Sequence, residues 1–305
     1  MKRFFLDLEP VSPFRLDLTV WALRRRPDNL VDRWDGKTYR RVLVSENNEP
    51  FEIAVTQSGS QLQVSVHCQQ ENEPLKEQTA CALERLLGIN VTLNGFYRLA
   101  EHDDKLGPVV EKFRGFKPPR LHSLFETLVN AIACQQFTLT MGIRLLNSLI
   151  ERYGLTLQND DGVFHAFPRP QELANADIEE LRKMKFSYQK ARYITGLAQS
   201  IVQGELDLEE INTLDDKNAI ERLCSLKGIG RWTAEYVLLR GLGRTHIFPA
   251  DDVGARNNLQ RWLELPEKLN YETVHQALQP WKEYGGLIYF HLLLKSLSEK
   301  KIIAF

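Results

Sequence analysis

The sequence predicts an α+β protein, with a small antiparallel-sheet domain over residues 1–100 and a mainly α-helical region over residues 101–305. Three observations carry this. Phe51, Ile53 and Val55, a turn at Gln57-Ser58-Gly59-Ser60, and then Leu62, Val64, Val66 and Cys68 alternate with period two, as a β-hairpin with one buried face does. Leu121, Leu124, Phe125, Leu128, Val129 and Ile132 recur at intervals of 3 and 1, which lines them along one helical face. A chain of 305 residues with 43% hydrophobic content can bury a sizeable core, and at ~150 residues per domain it suggests about two domains.

Taken in order, residues 39–46 read as a strand beside the hairpin, and residues 78–87 return to helical spacing, which completes a small α+β unit. Pro118-Pro119 marks the start of a helix over 121–133. Further helices are expected over 138–153, 186–203, 216–225, 231–242, 252–264 and 286–298. Gly154, Pro168 and Pro170, Gly204, Gly241 and Gly243, and Pro280 separate them. The chain shows no internal repeat and no low-complexity linker.

The segment richest in chemistry is Leu226-Lys227-Gly228-Ile229-Gly230-Arg231-Trp232-Thr233-Ala234, followed 22 residues after Gly230 by Asp252 in Phe248-Pro249-Ala250-Asp251-Asp252. A turn with alternate glycines between two helices leaves backbone N–H groups free at the start of the second helix, where they and the helix dipole can grip a phosphate. Gly228 and Gly230 matter for their missing side chains, and Lys227, Arg231 and Thr233 flank them as backbone-binding candidates. A carboxylate one helix and one loop further on is placed beside whatever nucleotide the turn holds. An isolated Asp after Pro and before a helix is most often an N-cap; two in succession permit both roles, with Asp251 capping and Asp252 catalytic.

Leu226 to Ala234 together with Pro249 and Asp252 closely resemble the helix-hairpin-helix DNA glycosylase superfamily, and within it the 3-methyladenine DNA glycosylase II family. The resemblance covers most of the chain. It implies two helical lobes with a cleft between them, a helix-hairpin-helix over about 216–242 on one wall, and the catalytic segment 248–264 facing it. The implied activity is that of a DNA N-glycosylase of base excision repair. It flips an alkylated purine such as 3-methyladenine or 7-methylguanine out of double-stranded DNA and hydrolyses its glycosidic bond, leaving an abasic site. Asp252 would stabilise the positive charge that builds on the sugar and orient or deprotonate the attacking water. Bifunctional relatives carry a Schiff-base lysine two residues after the second glycine; Trp232 stands there, which implies a monofunctional enzyme without lyase activity.

Trp232, Tyr236 and Trp281 match family positions that line the base pocket, where aromatic faces favour an electron-deficient base; taken singly, each is more often core. Val253 is a departure, since the family often has an aromatic residue after the catalytic aspartate. Gln135 matches a pocket glutamine, and Gln136 the residue that fills the gap left in the duplex; the alternative is a polar end to the helix over 121–133. The resemblance further implies a monomer, a monovalent cation held by hairpin carbonyls in complexes with DNA, and no iron–sulfur cluster.

A formal net charge of −1 excludes a strongly basic DNA-coating protein but leaves room for a local track. Lys227, Arg231, Arg240, Arg244, Arg256 and Arg261 cluster around the hairpin and the Asp252 helix, although for any one of them a solvated charged face is an even alternative. Cys68, Cys81, Cys134 and Cys224 are scattered without metal-site spacing and read as buried free thiols. No apolar run reaches the ~18 residues of a membrane span, and the start turns charged at Asp7 and Glu9, too early for a signal peptide. The chain is therefore expected to work inside the cell, in the cytoplasm or a nucleus. Two other functions fit the same motif: a glycosylase for deaminated or oxidised purines, and a non-catalytic DNA-binding module that uses the hairpin for phosphate contacts alone.

Overall fold

The computed structural model describes residues 2–159 and 161–303. Its N-terminal part is a five-stranded antiparallel sheet built from β1 (Lys2–Leu8), β2 (Arg33–Trp34), β3 (Thr38–Val44), β4 (Pro50–Ser58) and β5 (Gln61–Cys68), in the order β1-β5-β4-β3-β2. The hairpin and its neighbouring strand fall where the alternation puts them, with Ile53 opposite Val66 and Val55 opposite Val64. Val55, Leu62, Val64 and Val66 are buried against α1 (Leu16–Arg24) and α2 (Glu73–Leu87). Asn72 caps α2 by accepting from Leu75 N–H at 2.8 Å. Strand β1 and helix α1 carry no clear period in sequence and were not expected.

The helical part contains α3 (Asn94–Glu101), α4 (Leu106–Lys112), α5 (Leu124–Cys134), α6 (Leu139–Tyr153), α7 (Pro170–Leu173), α8 (Ile178–Lys183), α9 (Tyr188–Val202), α10 (Asp216–Cys224), α11 (Arg231–Arg240), α12 (Val253–Leu263), α13 (Tyr271–Ala277) and α14 (Gly285–Glu299). Each helix expected from spacing is present to within about two residues at most ends. A short hairpin, β6 (Thr156–Asn159) and β7 (Gly162–His165), interrupts the helices where none was expected. One core joins α5, α6, α9 and α10; a second joins α3, α4, α12 and α14. Phe96, Tyr97 and Ala100, which fall within residues 1–100, pack in this second core rather than under the sheet.

Helix α11 is where the cores meet. Val237 and Leu238 enter the first core, Leu239 the second and Tyr236 the core of the sheet. Every residue from Thr233 to Arg240 is buried, so the helix shows no amphipathic stripe and is fixed on all sides. Its N-terminus, the hairpin, is thereby held rigidly.

Of the four thiols only Cys68 is buried as expected: Cys134 is half-buried, and Cys81 and Cys224 are exposed, because each falls on the outward face of its helix. No helix among the described residues is long and apolar enough to cross a membrane.

His291 of α14 lies in the second core, 1% exposed, with Nδ1–H donating to Leu287 O at 2.8 Å and the rings of Phe96 and Phe116 about it. Burial pushes its pKa down to about 4. The unfolded chain therefore binds a proton below about pH 6.5 that the folded chain refuses, so stability present above pH 6.5 is lost as pH falls toward 4. His291→Phe is expected to flatten that loss by about 3 kcal/mol, read from urea midpoints at pH 7 and pH 4.

Candidate active site

Helix α10 begins at its cap Asp215, ends at Cys224, and leads through the turn into α11. Helices α5, α6, α9, α10 and α12 start on a capping side chain; α11 starts on Gly230, which offers none, so its first N–H groups face outward unclaimed by a cap. The two glycines differ in their reasons. Gly228 has φ +85°, and a Cβ there would lie 2.2 Å from the Tyr193 ring. Gly230 is extended and exposed, and a Cβ would meet nothing within 4 Å. The fold requires the first glycine; the second leaves room for something to approach. Gly228→Ala is expected to destabilise by about 2 kcal/mol or more. Gly230→Ala should leave stability within about 0.5 kcal/mol of native yet weaken duplex binding. Urea melts and fluorescence anisotropy with a labelled duplex check both.

Asp252 caps α12: its Oδ1 accepts from Ala255 N–H at 2.8 Å. Its Oδ2 accepts from the Trp232 indole N–H at 3.3 Å. The two aspartates divide their roles differently from expectation. Asp252 is itself the cap, while Asp251 pairs with Arg231 at 2.8 Å. Capping and chemistry are compatible, because one oxygen serves the helix and fixes where the other points. Trp232 packs on Tyr236 with ring centroids 5.7 Å apart, and the Tyr236 hydroxyl donates to Asn130 Oδ1 at 3.2 Å.

Trp281 stands elsewhere. Its indole N–H donates to Asp103 at 2.7 Å, its ring packs on Trp262 at 5.2 Å, and it is 7% exposed within the second core. The backbone kink at Trp281, φ −124° and ψ 27° directly after Pro280, accompanies this inward placement. An aromatic side chain that the sequence did not single out, Tyr289 of α14, lies near Asp252 instead. Burial and then the charge of Asp252 push its hydroxyl pKa up.

Gln135 is engaged with the hairpin. Its amide donates to Gly228 O at 2.9 Å and to Thr233 Oγ1 at 3.0 Å, so it is a strut between the end of α5 and the hairpin. Thr233, 1% exposed, is the other half of that strut, and its side chain is not available to a phosphate. Lys190 holds the same loop from behind. Its Nζ donates to Ala133 O at 3.0 Å and Gln135 O at 2.6 Å, and burial lowers its pKa to about 8. Beyond it Gln136, exposed at φ +57°, and Phe137, 42% exposed, project from the surface together. Two of the turn's carbonyls accept hydrogen bonds, Leu226 O from Ile229 N–H and Gly228 O from Gln135.

The basic track is thinner than its sequence clustering. Arg240 is fully buried and donates to Ala22 O at 2.7 Å, and Arg244 is tied to Asp216 at 2.7 Å and to Leu214 O. Arg231 is held by Asp251 and stacks 3.5 Å over the Tyr271 ring, and Arg261 faces Glu299 at 3.6 Å. Helix packing explains Arg240: α11 is buried from Thr233 to its end, so the arginine there turns inward to backbone carbonyls. Lys227 is exposed, and among the described residues neither it nor Arg256 has an ion-pair partner. A cavity of about 360 Å³ between β3 and α5, lined by His122, Phe125 and Phe167 among others, contains none of these residues.

A glycine turn opening a buried helix, with a fixed carboxylate against that helix's first aromatic residue, is an arrangement that can grip a phosphate and present an anion to the adjoining sugar. A model of the HhH-GPD superfamily of base excision DNA repair proteins matches residues 129–283, about half of the chain and all of this motif. The chain belongs to that superfamily. This HhH-GPD protein is similar along 95% of its length to a solved structure, 3-methyladenine DNA-glycosylase from Archaeoglobus fulgidus, at a TM-score of 0.82 and 28% identity, with 98% of that chain covered. It is 28% identical over 217 residues to the DNA-3-methyladenine glycosylase of Bacillus subtilis, covering 71% of this chain and 72% of the relative. Over 173 residues it is 33% identical to DNA-3-methyladenine glycosylase 2 of Escherichia coli, covering 57% and 59%. These relatives bear out the helix-hairpin-helix glycosylase superfamily and its alkylbase branch.

Proposed function

We propose that this DNA glycosylase of base excision repair is a monofunctional hydrolase for alkylated purines in duplex DNA, releasing 3-methyladenine and 7-methylguanine and leaving an abasic site. The observation that carries the reading is Asp252 held by two hydrogen bonds with its Oδ2 on Trp232 Nε1, at the position where a lyase would place its lysine. As the bond to the base breaks, positive charge spreads over the sugar, and a carboxylate of fixed orientation stabilises it without having to reorganise. The same oxygen can order the attacking water and take its proton. The names of the curated relatives and of the Archaeoglobus structure support the alkylated substrates.

Lysines are accounted for near the loop: Lys190 is spent on carbonyls, and Lys227 sits on the exposed side of the turn. Borohydride reduction during turnover is expected to trap no enzyme–DNA adduct, because a hydrolase forms no imine with the sugar. A trapped adduct on a denaturing gel would contradict the monofunctional part of the proposal while leaving the glycosylase part standing.

A further inference from the structure

Asp252 ends a turn over residues 249–252 that its own N–H closes by donating to Pro249 O at 3.0 Å. Side chains of α11 tie that turn down. Arg231 pairs with Asp251, Trp232 donates to Asp252 Oδ2, and Glu235, one helical turn after Arg231, accepts from Ala250 N–H through Oε2 at 3.1 Å. The other oxygen of Glu235 accepts from the Tyr271 hydroxyl of α13 at 2.7 Å, and the Arg231 guanidinium lies over that tyrosine's ring.

These ties differ in strength. The Arg231–Asp251 pair has side chains 48% and 30% exposed, where water screens it and it holds little. The Trp232 bond, at 3.3 Å, is longer than a well-formed N–H···O bond. Glu235 is 3% exposed and Ala250 fully buried, so the carboxylate meets the amide away from water, and an ionised acceptor strengthens the bond. Among the described residues Glu235 has no ion-pair partner; its oxygens go to Ala250 and Tyr271. Burying a carboxylate without a cation is costly, and the amide that this one holds lies two residues before Asp252.

We propose that Glu235 is a positioning residue for Asp252: by holding the Ala250 amide it fixes the turn, and with it the direction in which Asp252 Oδ2 meets the sugar. The inference rests on the glycosylase reading and deepens it. Asp252 Oδ1 accepts from Ala255 N–H, which sets the carboxylate relative to α12. Glu235 sets the same residue relative to α11, and therefore relative to the hairpin that opens that helix. A carboxylate that must face a sugar whose phosphate is gripped at the hairpin needs the second registration as much as the first. Misplacement by about 1 Å is enough to cost about 10²-fold in rate.

The test is single-turnover release of 7-methylguanine from a duplex, over a range of enzyme concentration, for the native enzyme, Glu235→Gln, Glu235→Asp and Glu235→Met, each also in an Asp252→Asn background. Glutamine keeps an acceptor at the same reach, so Glu235→Gln should stay close to native. Aspartate keeps the charge but is one methylene shorter, so Glu235→Asp, like Glu235→Met, should lower the maximal rate by about tenfold or more while half-saturation stays close to native. Because Glu235 acts through Asp252, the same changes should cost little more once Asp252 is asparagine. Melting curves select the variants folded at the assay temperature, and Glu235→Asp carries the comparison where Glu235→Met unfolds. Equal losses in both backgrounds, or losses in half-saturation instead of maximal rate, would reduce Glu235 to a structural residue. Native rates in Glu235→Asp, or a Glu235→Gln as slow as Glu235→Asp, would likewise overturn the proposal without touching the glycosylase reading. Native enzyme that releases no base removes the reading on which it rests.

Discussion

Asp252→Asn should slow single-turnover base release by about 10³-fold or more while duplex affinity stays within a few-fold of native. Asparagine caps a helix as well as aspartate does, so the bond to Ala255 N–H survives and α12 stays in place. The amide can still meet the Trp232 indole. What disappears is the negative charge opposite the sugar, together with the acceptor for the water's proton. Asp252→Ala would be less informative, since it also removes the cap, at about 1 kcal/mol of stability. Release measured by chromatography of free base, alongside anisotropy on a non-hydrolysable abasic analogue, separates chemistry from binding. A mutant that turns over at the native rate would remove Asp252 from the mechanism.

The largest expected effect on stability lies at the junction of sheet and helices. Arg41 of β3 donates to Asp32 at 2.8 Å and also to Glu126 of α5, and all three are nearly inaccessible at 1%, 2% and 3% exposure. Tyr39 adds a hydroxyl donor to Asp32 at 2.8 Å. Arg41→Met would leave two carboxylates buried without their cation and is expected to cost about 3 to 5 kcal/mol. The loss should shrink on mild acidification, because burial raises the pKa of Glu126 and protonation relieves the uncompensated charge. Replacing all three together, as Arg41→Met with Asp32→Asn and Glu126→Gln, should cost less than Arg41→Met alone. Urea unfolding at pH 7 and pH 5 measures each. The active site should feel this change, since α5 runs from Glu126 to the Gln135 strut that braces the hairpin.

Patterns that repeat within a few residues were legible. The hairpin of β4 and β5, the face of α5, and α11 and α12 around the glycine turn all follow from local spacing and punctuation. Strand β1 was not, because Lys2-Arg3-Phe4-Phe5-Leu6 has adjacent apolar residues and only Phe4 is fully buried. Nor was the β6–β7 hairpin, whose strands are four residues each.

At the site, Asp252, Trp232 and Tyr236 were legible because a motif and a helical spacing of four bring them together. Trp281 was misplaced since a dipeptide says nothing of which way a kink turns its side chain. Arg240 and Arg244 looked like surface charge, and Gln135 and Thr233 like ligands to DNA, because sequence shows a polar group but not its partner. Arg25 lies in Arg24-Arg25-Arg26, where no periodicity marks burial, yet the first two are buried at 4% and 5%. Its partner Asn130 is 105 residues away, and only the tertiary fold sets them side by side.

The central claim is hydrolytic removal of alkylated purines, and incubation of methylated duplex DNA with the native protein tests it most directly. Released bases would be identified chromatographically, and strands analysed with and without alkali. Free 3-methyladenine and 7-methylguanine are expected, with breaks appearing only after alkali. Tight duplex binding with no base released, or breaks formed without alkali, would contradict it.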